Sequence, residues 1–179
     1  MGFWGKWGAE QLCPNGQYVL GFQLKSEKYQ GKKPDDTGLN GIKLLCSGGG
    51  IVTSKTEQRG KWLAWQKCKG DEPVTGFQIQ IEPRQGGGDD TAANNVNLWC
   101  KGGNYIKGVS YTKWGSWSKL LHCPSGKAVI GIQTRVEAGC GSCDDTALNG
   151  VKMLCGNYRP GKMKIESWVD TTDVELASS

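Results

Sequence analysis

The chain contains three copies of one unit of about 55 residues, and this repetition constrains its fold more than any other feature. A phrase that begins Asp-Asp-Thr occupies residues 35–46, 89–100 and 144–155, at offsets of 54 and 55 residues. A second phrase, built around Gly-[Phe/Ile]-Gln, precedes it at residues 19–24, 74–79 and 129–134. A tryptophan and a cysteine also recur every 55 residues, at Trp7, Trp62, Trp117 and at Cys13, Cys68, Cys123. This agreement in register indicates three structurally equivalent repeats.

Each repeat has the period of a half-buried β-strand. Leu20, Phe22 and Leu24 alternate with glycine or polar residues, and the other two repeats keep the same phase. No stretch carries a long apolar pattern with a helical period. Glycine- and proline-rich turn signals separate the candidate strands, at residues 14–16, 40–41, 48–50, 86–88, 102–104 and 124–126. The sequence therefore predicts an all-β fold of short strands.

A sheet of three or four strands cannot bury its apolar face alone, whereas three equal sheets can cover one another around a pseudo-threefold axis. We therefore expect a three-sided prism; a three-bladed arrangement and a six-hairpin trefoil barrel are the alternatives, and trefoil units are shorter. The predicted domain is residues 1–169, with repeats at about 1–55, 56–110 and 111–169. The last strand is expected to lie beside the N-terminal one and leave no open edge, and residues 170–179 are expected to form a loose tail.

Six of the eight cysteines obey the repeat, which predicts the disulfides Cys13–Cys46, Cys68–Cys100 and Cys123–Cys155. The remaining two, Cys140 and Cys143, are predicted to form a small structural disulfide. Metal ligation is the alternative for the three repeat pairs, and redox activity is the alternative for Cys140 and Cys143. The following Asp144 and Asp145 argue against redox activity, because they would raise a thiol pKa. Even pairing throughout is typical of an oxidising compartment.

Several functional classes have little support. The net charge is +5, and no run of Lys or Arg exceeds two residues, which argues against nucleic-acid binding. No apolar run is long enough to span a membrane. The single histidine, His122, leaves no zinc triad, so we expect no metal and no cofactor. Residues 1–6 lack the apolar stretch of a signal peptide, so the chain is either a mature form with an added Met1 or not secreted by the usual route.

The repeated phrases resemble those of the vitelline membrane outer layer protein I family, from Trp4 to about Cys155. The resemblance implies a β-prism I fold of three Greek-key sheets and secretion into an egg coat or another extracellular layer. It also implies a link to chitin-type oligosaccharides, and partners that are glycans or other proteins of such a layer.

The candidate ligand-binding residues are carboxylates and tryptophans. Carboxylates can bind sugar hydroxyls, and indole rings can stack on sugar rings. Their structural alternatives are turn and cap hydrogen bonds for the acids and core packing for the tryptophans. The candidates are Glu27, Glu82 and Glu137, then Asp36, Asp90 and Asp145, and finally Trp65 and Trp99, which lack a tryptophan at the equivalent position of the other repeats.

The leading functional hypothesis is an extracellular structural or glycan-binding protein. A carbohydrate-active enzyme on amino-sugar polymers is the second hypothesis, although no convincing catalytic constellation is found. A defence or toxin-associated lectin is the third. The repeats differ most in residues 26–34, 82–88 and 137–143, which symmetry should bring to one end of the prism. Such variable loops on a rigid frame are the expected ligand site, with a preference for neutral or cationic sugars over sulfated ones.

Overall fold

The computed structural model describes residues 5–28, 38–82, 93–137, 148–157 and 165–170. Apart from one 3-10 turn at Lys69–Asp71, the regular elements in these ranges are strands. In chain order they are β1 Lys6–Trp7, β2 Gln11–Leu12, β3 Val19–Ser26, β4 Leu39–Cys46, β5 Ile51–Thr53, β6 Lys61–Trp62, β7 Gln66–Lys67, β8 Val74–Ile81, β9 Ala93–Cys100, β10 Tyr105–Lys107, β11 Ser116–Trp117, β12 Leu121–His122, β13 Ala128–Val136, β14 Leu148–Gly156 and β15 Ile165–Asp170. The predicted all-β class is confirmed.

The strands form three antiparallel sheets of the same design. Sheet 1 has the order β5-β4-β3-β6, sheet 2 the order β10-β9-β8-β11 and sheet 3 the order β15-β14-β13-β1. In each sheet a second short strand, β7, β12 or β2, also pairs with the central strand. In sheets 1 and 2, three consecutive strands are followed by a fourth that returns beside the first, which makes a Greek key. In sheet 3 the N-terminal strand β1 takes the place of the fourth strand.

Every sheet is completed by strands from a neighbouring repeat. Sheet 1 takes β6 and β7, which belong to the second repeat, and sheet 2 takes β11 and β12 from the third. Sheet 3 takes β1 and β2 from the start of the chain. The three sheets are therefore joined into a closed ring, in which no repeat forms a complete sheet by itself.

One apolar core lies between the inner faces of the three sheets. The alternation seen in the sequence places one residue in two inward, and the inner residues of all three sheets belong to a single cluster. Strand β13 of sheet 3 contacts β3 of sheet 1 and β8 of sheet 2. The large side chains that are at most 1% exposed include Phe22, Leu44, Phe77, Leu98, Ile132 and Met153.

Three disulfides join neighbouring sheets. The bonds are Cys13–Cys46, Cys68–Cys100 and Cys123–Cys155, as the repeat spacing predicted. The first cysteine of each pair still donates its backbone N–H to the sheet that the chain is leaving. The second lies at or next to the last residue of a strand in the sheet that the chain enters. Each passage between sheets therefore begins at a disulfide. Cys140 and Cys143 lie outside the described residues.

The prediction that the C-terminal strand lies beside the N-terminal strand is wrong. Both belong to sheet 3, but β1 pairs with β13 whereas β15 pairs with β14, so they occupy opposite edges. The reason is that β13 already has β14 on one side, and the N-terminal strands β1 and β2 take the other. Edges therefore remain, contrary to expectation. Asp170, the first residue of the predicted tail, belongs to β15 instead, where it pairs with Lys152. Residues 171–179 lie outside the described residues.

The predicted turn at Asn40-Gly41 is also wrong, because both residues lie within β4. Gly41 serves close packing instead: a Cβ at this position would lie 2.6 Å from Oγ1 of Thr56. The turn signals at residues 14–16, 48–50, 102–104 and 124–126 do coincide with turns.

We expect Gly115→Ala to lower the free energy of unfolding by about 2–3 kcal/mol. Gly115 precedes β11 with a φ of 96°, and a Cβ there would lie 2.2 Å from the carbonyl oxygen of Ile81. The matched control is Gly103→Ala, because Gly103 has a φ of 91° but nothing within 4 Å of its Cβ position. Denaturant unfolding should show a cost of only about 1 kcal/mol for that control. Equal costs at the two sites would contradict the crowding at Gly115.

Candidate functional site

Three glutamates lie at equivalent ends of the three sheets. Glu27, Glu82 and Glu137 directly follow the last residues of the central strands β3, β8 and β13. Each is half-buried. Because the three sheets are related by the repeat, the glutamates lie at the same end of the core. We call this group of three residues the loop end, since each glutamate adjoins one of the variable segments.

The predicted gathering of the variable segments stays a prediction, because most of residues 26–34, 82–88 and 137–143 lie outside the described residues. Two contacts are described next to the first segment. Gly38, which follows the first segment, packs so closely on Ala93 that a Cβ would lie 2.3 Å from the Ala93 carbonyl oxygen. At the start of the first segment, Oγ of Ser26 lies 3.1 Å from Oγ of Ser110, which follows β10. The candidates Asp36, Asp90 and Asp145 lie within residues 29–37, 83–92 and 138–147, which are outside the described residues.

A layer of three buried asparagines lies beside the loop end and was not singled out by the sequence reasoning. Asn40, Asn94 and Asn149 are the second residues of β4, β9 and β14, and each is 0% exposed. The carbonyl oxygen of Asn40 accepts a hydrogen bond from N–H of Glu57 at 2.8 Å. The signal was present in the sequence, because each repeat has Asn at the sixth position of its Asp-Asp-Thr phrase.

The repeating tryptophans lie on the outer faces of the sheets rather than in the core. Trp7, Trp62 and Trp117 are half-buried, and each pairs with the central strand of its sheet. In sheet 1, Nζ of Lys43 lies 4.2 Å from the Trp62 ring centroid. In sheet 3, Nζ of Lys152 lies 4.3 Å from that of Trp7. Cation–π attraction therefore holds these two indoles against their sheets.

Of the two tryptophan candidates, Trp99 lies on sheet 2 away from the loop end, and Trp65 lies in the connection between β6 and β7. Trp99 on β9 pairs with Gly76, which lies six residues before Glu82 along β8, or about 20 Å at the usual rise of a strand. Its ring stacks on Tyr105, with centroids 4.7 Å apart and planes inclined by 16°. Trp65 lies between β6 and β7 and is 38% exposed. Trp99 and the glutamates are therefore parts of different surfaces.

The described residues contain no group of three or more His, Cys, Asp or Glu side chains placed to hold a metal ion. His122 is exposed on β12, opposite Gly76. In the same ranges, no helix is long and apolar enough to cross a membrane.

The sequence matches the model of one protein family. The family description is vitelline membrane outer layer protein I, and the match covers residues 1–158 and, in a second alignment, residues 104–174. A vitelline membrane outer layer protein 1 homolog from Homo sapiens is 38% identical over 162 residues, which is 86% of this chain and 78% of the relative. The homolog from Mus musculus is 36% identical over 162 residues, which is 86% of this chain and 79% of the relative.

Two solved structures share the fold at low sequence identity. A prostate-specific glycoprotein lectin, WGA16, aligns with a TM-score of 0.57 and 12% identity, over 88% of this chain and 93% of the lectin. The Calystegia sepium agglutinin aligns with a TM-score of 0.50 and 11% identity, over 88% of this chain and 95% of the agglutinin. These likenesses confirm the prism of three sheets, the β-prism architecture of such lectins.

Proposed function

The chain belongs to the vitelline membrane outer layer protein I family, and from that membership we propose that it is a glycan-binding protein of an extracellular layer. The three disulfides support this location, because such bonds persist in oxidising compartments. The names of the human and mouse homologs refer to an outer layer of the vitelline membrane. Its partners in this proposal are glycans or other proteins of the layer.

The observation that carries the glycan-binding part is the equivalent placement of Glu27, Glu82 and Glu137 at the ends of the three central strands. A rigid core holds these carboxylates beside the segments in which the repeats differ most. Carboxylate oxygens accept hydrogen bonds from sugar hydroxyls and from the amide N–H groups of amino sugars. Their negative charge disfavours sulfated chains at this end, although the whole chain has a net charge of +5. We therefore assign neutral, chitin-type oligosaccharides to the loop end.

We expect the triple variant Glu27→Gln/Glu82→Gln/Glu137→Gln to bind chitotetraose about tenfold more weakly than the unmodified chain, as measured by calorimetry. A glutamine keeps the shape of the side chain but loses the charge that strengthens its hydrogen bonds. The matched control is Glu10→Gln/Asp71→Asn/Glu72→Gln, which changes the net charge equally at residues away from the loop end. This control should bind as tightly as the unmodified chain. Equal effects of the two triple variants, or no binding by the unmodified chain, would refute the proposed site.

A further inference from the structure

The outer face of sheet 2 differs in charge from the other two outer faces. In sheet 1 the two positions beside Trp62 are Lys25 and Lys43, and their Nζ atoms lie 6.0 and 4.2 Å from its ring centroid. In sheet 3 the equivalent Arg135 and Lys152 lie 5.3 and 4.3 Å from that of Trp7.

Sheet 2 has neutral amides at these two positions. Gln80 pairs with Trp117, as Lys25 pairs with Trp62, and Asn97 pairs with Gln78, as Lys43 pairs with Gln23. Within the described ranges, no lysine or arginine lies over the Trp117 ring. The equivalent indole therefore has two cations beside it in sheets 1 and 3, but two neutral amides in sheet 2.

The amides beside Trp117 are held in fixed orientations. Nε2 of Gln80 donates to the carbonyl oxygens of Lys113 at 2.9 Å and Gly115 at 3.2 Å. Oδ1 of Asn97 accepts from N–H of Gly108 at 3.2 Å. Both side chains are 7% exposed, so they form the floor of the face rather than protruding from it. The floor is polar and uncharged.

An aromatic pair lies at the opposite corner of the same face. Trp99 stacks on Tyr105, which is 46% exposed. Sheet 1 has Leu45 and Ile51 at these two positions, so the pair is not required by the architecture. Trp99 pairs with Gly76 and Trp117 with Gln80, four residues apart on β8, or about 13 Å along the strand. The distance between the two aromatic groups is therefore longer than one sugar ring.

We propose that this face binds a neutral, β-linked oligosaccharide across its diagonal, at a site separate from the loop end. The site, which we call the sheet 2 platform, consists of Gln80, Asn97, Trp99, Tyr105 and Trp117. The axial C–H groups of β-linked pyranose rings stack on the aromatic rings, and their equatorial hydroxyls lie over the amide floor. This inference deepens the proposed glycan binding and rests on it.

The charge pattern selects against sulfated chains. On the paired strands of sheet 2, the cation nearest the aromatic pair is Lys107, whose Nζ lies 6.0 Å from the Tyr105 ring centroid at the edge of the sheet. Sheets 1 and 3 each place two cations at the centre of the outer face instead. An anionic chain would therefore be attracted to those faces, and a neutral chain would find on sheet 2 a central indole, Trp117, over which no described Lys or Arg lies.

The test is a titration of the isotope-labelled chain with cellotetraose, in which the indole N–H signals are followed by NMR. We expect the signals of Trp99 and Trp117 to shift while those of Trp7 and Trp62 stay in place. The Tyr105→Ala variant should bind about tenfold more weakly. Its matched control is Trp168→Ala, which removes an aromatic ring that is 58% exposed at the equivalent position of sheet 3 and should leave the affinity unchanged.

A second variant, Asn97→Lys, introduces beside Trp117 the lysine that sheet 1 has at this position, and it should reduce cellotetraose binding. If this variant does not fold, the Tyr105→Ala variant still tests the inference. Shifts confined to Trp7 and Trp62, a stronger response of Trp117 to a heparin-derived tetrasaccharide, or an unchanged affinity of Tyr105→Ala would each overturn the inference. If the loop-end triple variant loses chitotetraose while Tyr105→Ala keeps cellotetraose, the proposed function stands and the platform falls. If instead the triple variant keeps chitotetraose binding while Tyr105→Ala loses cellotetraose binding, the sheet 2 platform is supported and the loop end is refuted as a binding site.

Discussion

Replacing Phe77 by alanine is expected to lower the free energy of unfolding by about 3–5 kcal/mol, among the largest effects of any single substitution in this chain. Phe77 is 0% exposed and lies on β8, the central strand of sheet 2, which packs against the central strands β3 and β13 of the other sheets. Removing the ring loses its transfer free energy and leaves a cavity that three sheets border. Urea unfolding monitored by circular dichroism measures the change.

The control for this prediction is Ile51→Ala, because Ile51 is 53% exposed on an edge strand and should change stability by less than about 0.5 kcal/mol. Phe22→Ala, at the equivalent position of sheet 1, should cost as much as Phe77→Ala. A loss below about 1 kcal/mol at Phe77 would show that the sheets do not share one close-packed core.

The double variant Cys68→Ala/Cys100→Ala is expected to lose about 4 kcal/mol of unfolding free energy. In the chain-entropy model this loss reflects the freedom that a loop of 32 residues regains in the unfolded state. Alanine is chosen because both cysteines are 2% exposed, and a serine would bury a hydroxyl group. Thermal and denaturant unfolding under non-reducing conditions measure the effect.

The other two disulfides provide the matched comparison. Cys13–Cys46 and Cys123–Cys155 close loops of 33 and 32 residues, so the corresponding double alanine variants should lose nearly the same amount. A large difference among the three variants would contradict the loop-entropy explanation. Peptide mapping that connected Cys13 to Cys68 would contradict the pairing itself.

The predictions that followed from repetition agree with the structure. Equivalent cysteines pair equivalently, and the alternation around Phe22 and Phe77 correctly identifies the inner face of each sheet. Local spacing carries this information because a strand has a fixed period of two and a disulfide needs a short Cα–Cα distance. Because each cysteine spacing and each alternation occurs in all three repeats, a chance pattern was excluded.

Predictions about which strands become neighbours were less successful. Nothing in the order of residues states that β6 pairs with β3 of the preceding repeat, or that β1 and β15 occupy opposite edges of one sheet. Pairing between distant strands depends on how the whole chain packs, which a local pattern does not encode. The Asn40-Gly41 signal misled for a related reason, since its glycine accommodates Thr56 from another segment.

The separation of the candidate residues also depends on tertiary structure. The sequence grouped Trp99 with the glutamates by residue type, whereas the register of β9 on β8 places Trp99 at the other end of sheet 2. The contrast between Lys43 and Asn97 was visible in the repeated phrases from the start. It acquired meaning only when the pairing brought both positions beside a tryptophan.

The disulfides that begin each passage between sheets have a consequence for a protein exposed to extracellular proteases. A backbone cut anywhere between Cys13 and Cys46, between Cys68 and Cys100, or between Cys123 and Cys155 leaves the two fragments covalently joined by the bond that spans the cut. All three variable segments lie within these spans. A single cut in each of the most sequence-divergent parts of the chain therefore releases no fragment, because the disulfides keep all the pieces covalently joined.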